Sequence, residues 1–393
     1  MEAIELTNSA ARYEISVWKD DHRSSLLRRP WELLVSSRES SASIYQGPEY
    51  FDYLQDSERD CRFAVLTAQN RQTHAIVGIV PIKLSTYRLQ FRFRAHTFAS
   101  IRLESIGILG GEPMIPEDPC AFDQLFLSFA QNYPESQVIH MDAVPSSSYL
   151  WNHLQTSRTI RRLYRPLIAE GFREWHSIPL PPSIEEYNKR LPRKKRYNLM
   201  RQERMLQSHC GNPLQLTTID KEKDLQYLYD AIERLPTQEK YGPHGFVYRK
   251  EDYVYLSRHN LLHCYVLMSG ERHIGLVLGI KAGKTLKIDR LVHDTSLERF
   301  SPGTTLWQLV LQDLIGSDSF TSVDFGYGLP AYRFRTTNVI ENKGRILLFR
   351  RSIANQCLIA AHSCYSSVIH FARSRLGHRS PPGVPPRPGV TEE

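Results

Sequence analysis

The chain has 393 residues, of which 41% are hydrophobic and 23% are charged, proportions typical of a soluble globular protein. Its length is sufficient for two ordinary domains, each able to bury its own core. The sequence contains no apolar run long enough to span a membrane and no charged-then-apolar signal at its start, so we expect a cytoplasmic protein.

The six cysteines are scattered, without a CxxC pair or zinc-finger spacing, so we expect free thiols and no metal site. The positive charge, by contrast, is concentrated. Residues 189–204 contain eight lysines and arginines against one glutamate, a net charge of +7, whereas the whole chain carries +8. Because the rest of the chain is close to neutral, the sequence argues against a surface that coats nucleic acid in general.

In the first half of the chain, apolar alternation predicts strands and apolar residues at helical spacing predict helices. The predicted strands are residues 13–17, 61–69, 74–84, 88–103 (one strand or a pair), 105–111 and 137–141. The predicted helices are one that starts at 31–35, then 48–54, 118–133 and 146–155. The helix at 118–133 is amphipathic, with an apolar face formed by Phe122, Leu125, Phe126 and Phe129.

The second half repeats this order of elements. Its predicted strands are residues 173–180, 214–219, 261–268, 273–279, 285–291, 321–325 and 339–350. Its predicted helices are residues 184–191, 194–208, 222–235, 249–260, 306–315 and 353–375. Residues 377–393 are rich in proline and arginine and predict a disordered tail. The order of elements suggests a structural repeat, with a boundary near residues 156–170.

The most informative stretch is residues 285–328, which reads as strand, turn, apolar helix and second strand. Two strands joined by a helix form a βαβ unit, in which the strands are normally parallel. The helix starts at Ser301-Pro302-Gly303, where serine suits the N-cap and proline suits the first turn. The N–H groups of such a start can bind an anion, usually a phosphate. On residue types alone, an ordinary capped helix is the commoner interpretation.

Several motifs, taken together and in order, resemble the CelD-like (cellulose-biosynthesis-type) branch of the GNAT acyltransferases. They are Ser301-Pro302-Gly303 with its helix, residues 323–328 (VDFGYG) and Tyr332-Arg333. Upstream, residues 189–206 resemble the family's basic helix, and residues 63–84 resemble its N-terminal strand pair. Arg333 stands where the family usually has lysine, a change that preserves charge but not geometry. The resemblance covers roughly residues 31–351, and a more distant similarity links the chain to the FemAB-type transferases.

The resemblance implies an α/β (α+β) fold of two GNAT-like domains in tandem, each a mixed sheet flanked by helices. The implied domains are residues 1–165, residues 166–376 with the acyl-donor site, and the tail at 377–393. In this fold, an acyl thioester lies between two strands that splay apart, here residues 286–293 and 322–325.

The thioester's pyrophosphate would lie at residues 300–305, at the start of the helix. The implied co-substrate is acetyl-CoA or a longer acyl-CoA, without a metal. The implied residues for its binding are Leu291, Val292, Ser301, Gly303, Thr304 and Thr305.

Acyl transfer to an amine needs a deprotonated nucleophile, donors for the developing oxyanion and a proton for the departing thiolate. Tyr332 is the candidate proton donor, because GNAT enzymes often place a tyrosine shortly after the second strand; Tyr327 is a second choice. Asp289 interrupts an apolar alternation and is the candidate base or amine-orienting group. The structural alternatives are a packed tyrosine and an Asp289 that pairs with Arg290 or faces solvent.

Asp324, Arg333 and Arg335 are the candidate substrate-binding residues. The two arginines could bind a phosphate or a substrate carboxylate; the alternative is that they are surface charges on a loop. Asp324 could instead hold the turn at 326–328 through hydrogen bonds to the backbone. His293 is the histidine nearest the loop, although a lone histidine is usually a satisfied polar residue.

The sequence therefore predicts a GNAT-type enzyme that transfers an acyl group from acyl-CoA to an amine or hydroxyl of a small-molecule, sugar or amino-acid acceptor. One alternative is a FemAB-like transferase that uses aminoacyl-tRNA or an acyl carrier, with residues 189–204 binding the RNA or the carrier protein. Another is a non-catalytic GNAT-like scaffold in polysaccharide biosynthesis. The basic segment could also bind the 3′-phosphate of coenzyme A, a sugar nucleotide or an acidic lipid headgroup. The acyl group, the acceptor and the oligomeric state do not follow from the sequence.

Overall fold

The computed structural model describes residues 12–19, 25–37, 43–93, 96–235, 249–317, 319–327 and 339–375. Its strands are β1 (Tyr13–Trp18), β2 (Arg62–Asn70), β3 (Ile76–Phe93), β4 (His96–Ile108), β5 (Val138–Pro145), β6 (Tyr164–Pro179), β7 (Leu214–Ile219), β8 (Cys264–Ser269), β9 (Arg272–Ala282), β10 (Thr285–His293), β11 (Ser322–Tyr327) and β12 (Val339–Arg350). Its α-helices are α1 (Ser25–Ser36), α2 (Ser43–Gln46), α3 (Pro48–Ser57), α4 (Pro119–Asn132), α5 (Tyr149–Thr156), α6 (Arg158–Leu163), α7 (Ile184–Arg190), α8 (Arg193–Cys210), α9 (Leu225–Arg234), α10 (Lys250–Arg258), α11 (Pro302–Gly316) and α12 (Ile353–Arg375). The predicted tail lies outside the described residues.

Contacts divide the described residues into two compact units. Of the described residues, unit 1 contains those up to 51, those in 58–173 and residues 342–375, and unit 2 contains residues 52–57 and those in 174–341. Residues 342–375 belong to unit 1 because β12 pairs antiparallel with β5, for example Leu348 with Ile139. The division into domains at 165 and 166 stays a prediction, and the compact units differ from it in this returning segment.

Unit 1 contains a sheet with the strand order β1-β2-β3-β4-β5-β12. Its neighbouring strands are antiparallel, except for β4 and β5, which are parallel and are connected by the crossover helix α4. The predicted apolar face of α4 is confirmed, because each of its four side chains is at most 3% exposed: Phe122, Leu125, Phe126 and Phe129. Helical spacing therefore placed this face correctly against the sheet.

The antiparallel ribbon of β3 and β4 is longer than the sequence pattern predicted. Its ladder runs from Ile82 opposite Ile108 to Phe93 opposite His96, with one irregularity. Residues 88–103, predicted as one strand or a pair, form a pair made of the end of β3 and the start of β4. Only the predicted boundaries were wrong, because the alternation of side chains continues from 84 into 88 and from 103 into 105, where the predicted strand at 105–111 is the last part of β4.

Unit 2 contains a sheet with the strand order β6-β11-β10-β9-β8-β7, in which β6 contributes its residues from Glu174 onward. Here β10 and β11 are the parallel pair, and α11 is the crossover helix. The other neighbouring strands are antiparallel. Trp307 and Leu306 of α11 are fully buried in the core, and α11 also contacts α8. The predicted repeat of element order, two mixed sheets with helices on them, is confirmed.

Candidate functional site

The two parallel strands of unit 2 separate soon after they meet. β10 pairs with β11 only from Thr285 opposite Ser322 to Lys287 opposite Asp324, although β10 continues to His293. Each strand also has an irregularity at this level, after Ile288 in β10 and after Asp324 in β11. Such bulges bend a strand and increase its local twist. The strands therefore diverge at their C-terminal ends, as the sequence predicted for a thioester site.

Asp289 is the extra residue of the bulge in β10, because the register against β9 passes from Ile288 to Arg290. Its side chain is 7% exposed, and its Oδ1 accepts a hydrogen bond from Lys287 Nζ at 2.9 Å. The sequence suggested an ion pair of Asp289 with Arg290, and the structure shows an ion pair of Asp289 with Lys287. Residues i and i+2 of a strand lie on the same face, which brings these two side chains together.

Asp324 is 1% exposed, and both oxygens of its carboxylate accept hydrogen bonds. Trp175 Nε1 donates to Oδ2 at 3.1 Å, and the backbone N–H of Gly326 donates to Oδ1 at 2.6 Å. Gly326 has a φ of +70°, a left-handed conformation that glycine adopts readily. Asp324 therefore holds the backbone where β11 turns, the structural role that the sequence kept beside substrate binding.

The start of α11 is an unusual helix N-terminus. Ser301 occupies the N-cap position, but its backbone is left-handed (φ 56°, ψ 50°) and its side chain forms no capping hydrogen bond. Its hydroxyl instead accepts from Gln202 Nε2 on α8, and its carbonyl oxygen accepts from the N–H groups of Thr304 and Thr305, each at 3.1 Å. A capping serine is normally extended, so the expected serine cap was wrong in its geometry.

Gly303 is a buried residue in the first turn of α11. Within the described part of the chain, its N–H has no hydrogen-bond partner. An ideal Cβ at Gly303 would lie 2.9 Å from Nδ1 of His293, so the imidazole at the end of β10 packs directly against the helix start. Burial lowers the pKa of His293, which keeps the ring neutral at physiological pH. The sequence undervalued this histidine because only the fold brings it to the helix.

The equivalent helix of unit 1 starts differently. Asp118 is the N-cap of α4, and its carboxylate accepts a hydrogen bond from the N–H of Cys120 at 2.8 Å. Tyr13 also donates to this carboxylate, and Arg12 lies 3.5 Å from it. A carboxylate therefore occupies the position at which an anionic ligand would bind. That the donor site is in the second unit stays a prediction.

A shallow groove of about 420 Å³ lies beside the start of α11. It is lined by Phe300, which precedes Ser301, and by four residues of α8: Arg204, Met205, Ser208 and His209. The ring of His209 stacks on Phe300 with centroids 4.2 Å apart and an interplanar angle of 21°. The guanidinium of Arg299 lies 4.6 Å from the centroid of the same ring. The groove combines an aromatic surface with positive charge, which suits a nucleotide.

The basic segment at 189–204 forms the end of α7 and most of α8. Six of its cationic side chains are exposed, namely Lys189, Arg190, Arg193, Lys194, Arg201 and Arg204. Arg196 donates to the carbonyl of Asn188 at 2.7 Å, and burial lowers the pKa of Lys195. Tyr197, in the same helix, is 62% exposed. The segment is thus partly anchored to the core and partly a solvated cationic surface.

Of the remaining predicted residues, Leu291 and Val292 are half-buried in β10, beyond the point where it leaves β11. Thr305 is 2% exposed, and its N–H already donates to the carbonyl oxygen of Ser301, so its predicted role in ligand binding stays a prediction. Tyr332, Arg333 and Arg335 lie outside the described residues. Among the described residues, no three His, Cys, Asp or Glu side chains are grouped to hold a metal ion, and no helix has the length and apolarity needed to cross a membrane.

Part of the chain matches a known protein family, and the fold is similar to a solved structure. Residues 193–334 match the family model described as Acetyltransferase (GNAT) domain. The crystal structure of FemX is similar to this chain with a TM-score of 0.56 and 10% identity, over 81% of this chain and 95% of FemX. A comparison with curated protein sequences gave no match.

Two further solved structures are similar at TM-scores below 0.5 and carry no argument about the fold. A tandem GNAT protein from the clavulanic acid biosynthesis pathway has a TM-score of 0.48 and 8% identity, covering 86% of this chain and 98% of its own. The L-PGS of Bacillus licheniformis has a TM-score of 0.46 and 13% identity, covering 84% and 95%. The family match and the likeness to FemX confirm the predicted GNAT-like fold. Residues 193–334 are therefore similar to a GNAT acetyltransferase domain, and this match supports a transferase.

Proposed function

We propose that the chain transfers an acyl group from acyl-CoA to an amine or hydroxyl acceptor, in the opening between β10 and β11. The observation that carries this proposal is the three-residue parallel pairing of these strands, from Thr285 to Lys287, in a βαβ unit whose helix α11 has an N–H at Gly303 without a hydrogen-bond partner among the described residues. A thioester needs a path for its pantetheine arm and a positive site for its pyrophosphate. The end of the strand pairing and the helix start support the assignment of these two roles to one unit.

The donor is held by backbone groups and by the groove on α8. The pyrophosphate would accept from the N–H of Gly303 and benefit from the dipole of α11. The nucleotide would lie in the groove, with its base against Phe300 and its 3′-phosphate near Arg204. Leu291 and Val292 would line the pantetheine arm. Backbone binding of this kind explains why so little of the site was visible as conspicuous side chains.

In the reaction, the acceptor's nitrogen or oxygen attacks the thioester carbonyl, a bond to carbon forms, and the carbon–sulfur bond then breaks. The acceptor loses a proton and the departing thiolate gains one. We assign Asp289, buried at the opening, to orient or deprotonate the acceptor, and Tyr332 to protonate the thiolate. Arg333 and Arg335 would bind an anionic group of the acceptor, which we propose to be a small molecule, a sugar or an amino acid.

The exposed cations of α8 favour a second candidate, a FemAB-like transferase whose donor is aminoacyl-tRNA or an acyl carrier. Arg193, Lys194 and Arg201 are exposed together with Tyr197, a combination that suits a phosphate backbone and an unstacked base. This candidate shares the fold and the acyl-transfer chemistry and differs in the donor. Binding to such a donor would depend steeply on salt, because each contacted phosphate releases counterions.

Calorimetric titration of acetyl-CoA and a longer acyl-CoA tests the proposal. The informative variant is Thr304→Glu, which adds a negative charge to the half-buried first turn of α11. We expect at least a tenfold loss of affinity, because the added carboxylate opposes the pyrophosphate. The matched control is Gln215→Glu, the same charge change at an exposed position of β7, which should bind as the unaltered chain does.

If neither thioester binds to the folded protein, the acyl-CoA proposal is wrong. Titration with a bulk tRNA preparation at two salt concentrations would then separate the FemAB-like candidate from a non-catalytic scaffold. Equal losses in both glutamate variants would also count against the site, since they would indicate attraction to the net charge of the protein.

A further inference from the structure

Unit 1 has a cationic surface that lies outside the basic segment of the sequence. A shallow groove of about 440 Å³ is lined by four arginines: Arg158, Arg161, Arg162 and Arg351. The first three belong to α6, and Arg351 directly follows β12. The N–H of Arg351 donates to the carbonyl of Leu163 at 2.9 Å, which holds it at the end of α6. All four side chains are exposed.

These four arginines are not neutralised by the protein. Across the described ranges, none of them forms an ion pair with an aspartate or glutamate. The carboxylate of Asp123, a residue of α4, lies near the start of α6. It forms hydrogen bonds with Ser157 Oγ at 2.7 Å and His153 Nε2 at 2.8 Å. Other arginines of unit 1 do have carboxylate partners, for example Arg345 with Asp142 at 2.9 Å. Four like charges around one groove, without such partners, repel each other.

Helix stability explains only part of the cluster. Arg161 and Arg162 lie in the last turn of α6, where the helix dipole favours cations. Arg158 is in the first turn, where the dipole disfavours a cation, and Arg351 is outside the helix. Two of the four positions therefore gain nothing from α6, and a bound anion would account for all of them.

We propose that this groove binds the diphosphate group of a small-molecule ligand. Guanidinium groups bind phosphate oxygens in pairs, with a planar geometry that lysine lacks. One phosphate monoester carries about −1.5 to −2 charges, which leaves about half of the four cations uncompensated. A diphosphate provides more charge and two separate sets of oxygens. The volume of the groove is within the usual range for small-ligand sites, which favours a nucleotide-sized ligand over a macromolecule.

The proposal does not depend on acyl-CoA as the donor of the transferase, since all four arginines belong to unit 1. Inorganic pyrophosphate is a suitable probe, titrated calorimetrically at about 0.15 M salt so that long-range attraction is screened. The test variant is Arg161→Gln with Arg162→Gln. The control is Arg88→Gln with Arg102→Gln, two exposed arginines that face each other across β3 and β4 in the same unit.

We expect saturable binding to the unaltered chain, at least tenfold weaker binding to the test variant, and unchanged binding to the control. Arg161→Lys with Arg162→Lys keeps the charge and should still bind several-fold more weakly, because the paired geometry is lost. Thr304→Glu, which adds a negative charge to the first turn of α11 in unit 2, should leave pyrophosphate binding to the arginine groove unchanged. An equal loss in the test and control variants would overturn the proposal, and so would a loss confined to Thr304→Glu.

The source of the diphosphate is tested with ADP, UDP and inorganic phosphate as further titrants. Tighter binding of one nucleotide than of pyrophosphate supports the proposal and identifies the organic part of the ligand. Equal binding of pyrophosphate and both nucleotides supports recognition of the diphosphate alone. If inorganic phosphate binds as tightly as pyrophosphate, the groove is a general anion site and a diphosphate-specific site is refuted.

Discussion

Lys287 Nζ lies 2.9 Å from Asp289 Oδ1 at the level where β10 leaves β11, and the two side chains are only 18% and 7% exposed. Removing one partner of a buried ion pair takes away part of the compensation of the other charge in a poorly solvated site. We expect Lys287→Met to lower the free energy of unfolding by about 3 kcal/mol, measured by urea denaturation.

The double variant Lys287→Met with Asp289→Leu provides the control. Replacing both charges with apolar groups of similar size also removes the buried carboxylate, so the double variant should be more stable than Lys287→Met alone. Additive losses in the two single variants would contradict the idea that these residues act as a buried pair.

Asp324 is the second carboxylate for which the structure makes a quantitative prediction. Asparagine offers one oxygen where aspartate offers two, so in Asp324→Asn either Trp175 Nε1 or the N–H of Gly326 loses its acceptor. We expect a loss of about 1–3 kcal/mol in unfolding free energy.

A double-mutant cycle with Trp175→Phe separates the two hydrogen bonds. Because phenylalanine removes the indole donor, Asp324→Asn should cost less in that background, where only the Gly326 N–H needs an acceptor. If the cost is the same in both backgrounds, the indole hydrogen bond does not contribute to stability.

The sequence was sufficient to predict the parallel pair, the crossover helix and the amphipathic face of α4, because each follows from local periodicity. It also predicted that Asp324 could hold a turn, since aspartate followed two residues later by glycine is typical of such turns. Likewise, Ser301-Pro302-Gly303 correctly marked the start of α11. These features depend on residues close together in the chain.

The sequence could not predict contacts that join distant segments. His293 reaches Gly303 because β10 and α11 pack together, and Arg351 reaches α6 because β12 returns to unit 1. The net charge of the sequence did not reveal the arginine groove. Acidic residues elsewhere in the chain cancel the four arginines in the sum, although they do not lie beside them. The left-handed backbone of Ser301 was equally invisible, because serine at a helix start normally predicts an extended cap.

Because His293 packs on Gly303, we expect Gly303→Ala to destabilise the unaltered chain but to stabilise a chain that lacks the His293 ring. In the unaltered chain, Gly303→Ala would bring a methyl group to 2.9 Å from Nδ1 and 3.3 Å from Cε1 of the imidazole. We expect a net loss of about 1 kcal/mol, because overpacking outweighs the gain in helix propensity.

In a His293→Ala background the obstructing ring is absent, so the same Gly303→Ala substitution should stabilise the protein by about 0.5–1 kcal/mol. Thermal unfolding of the four proteins measures both values. A loss of equal size in the two backgrounds would show that the alanine is obstructed by something other than His293.

The last prediction concerns acid stability and His263, a histidine that is 8% exposed in unit 2. Its Nε2 and the hydroxyl of Tyr265 are 2.9 Å apart, and that hydroxyl donates to Asp313 Oδ2 at 2.9 Å. The imidazole therefore donates from Nε2, and its buried Nδ1 has no hydrogen-bond partner within the described residues. Protonation would place a charged donor where no acceptor lies. Burial, with a smaller contribution from Lys281, accordingly lowers the pKa of His263 to about 4, and Asp220 opposes this only in part.

A histidine with a lowered pKa stabilises the fold fully above its unfolded pKa of about 6.5 and loses that contribution as the pH falls towards 4. Between pH 7.5 and pH 5, His263 should therefore remove about 2 kcal/mol of unfolding free energy. His263→Gln retains a donor towards Tyr265 but does not titrate, so its stability should decline less over the same interval. Urea denaturation of both proteins at the two pH values isolates the effect of this residue from that of other histidines. Parallel losses in the two proteins would mean that His263 accepts a proton without penalty in the folded state.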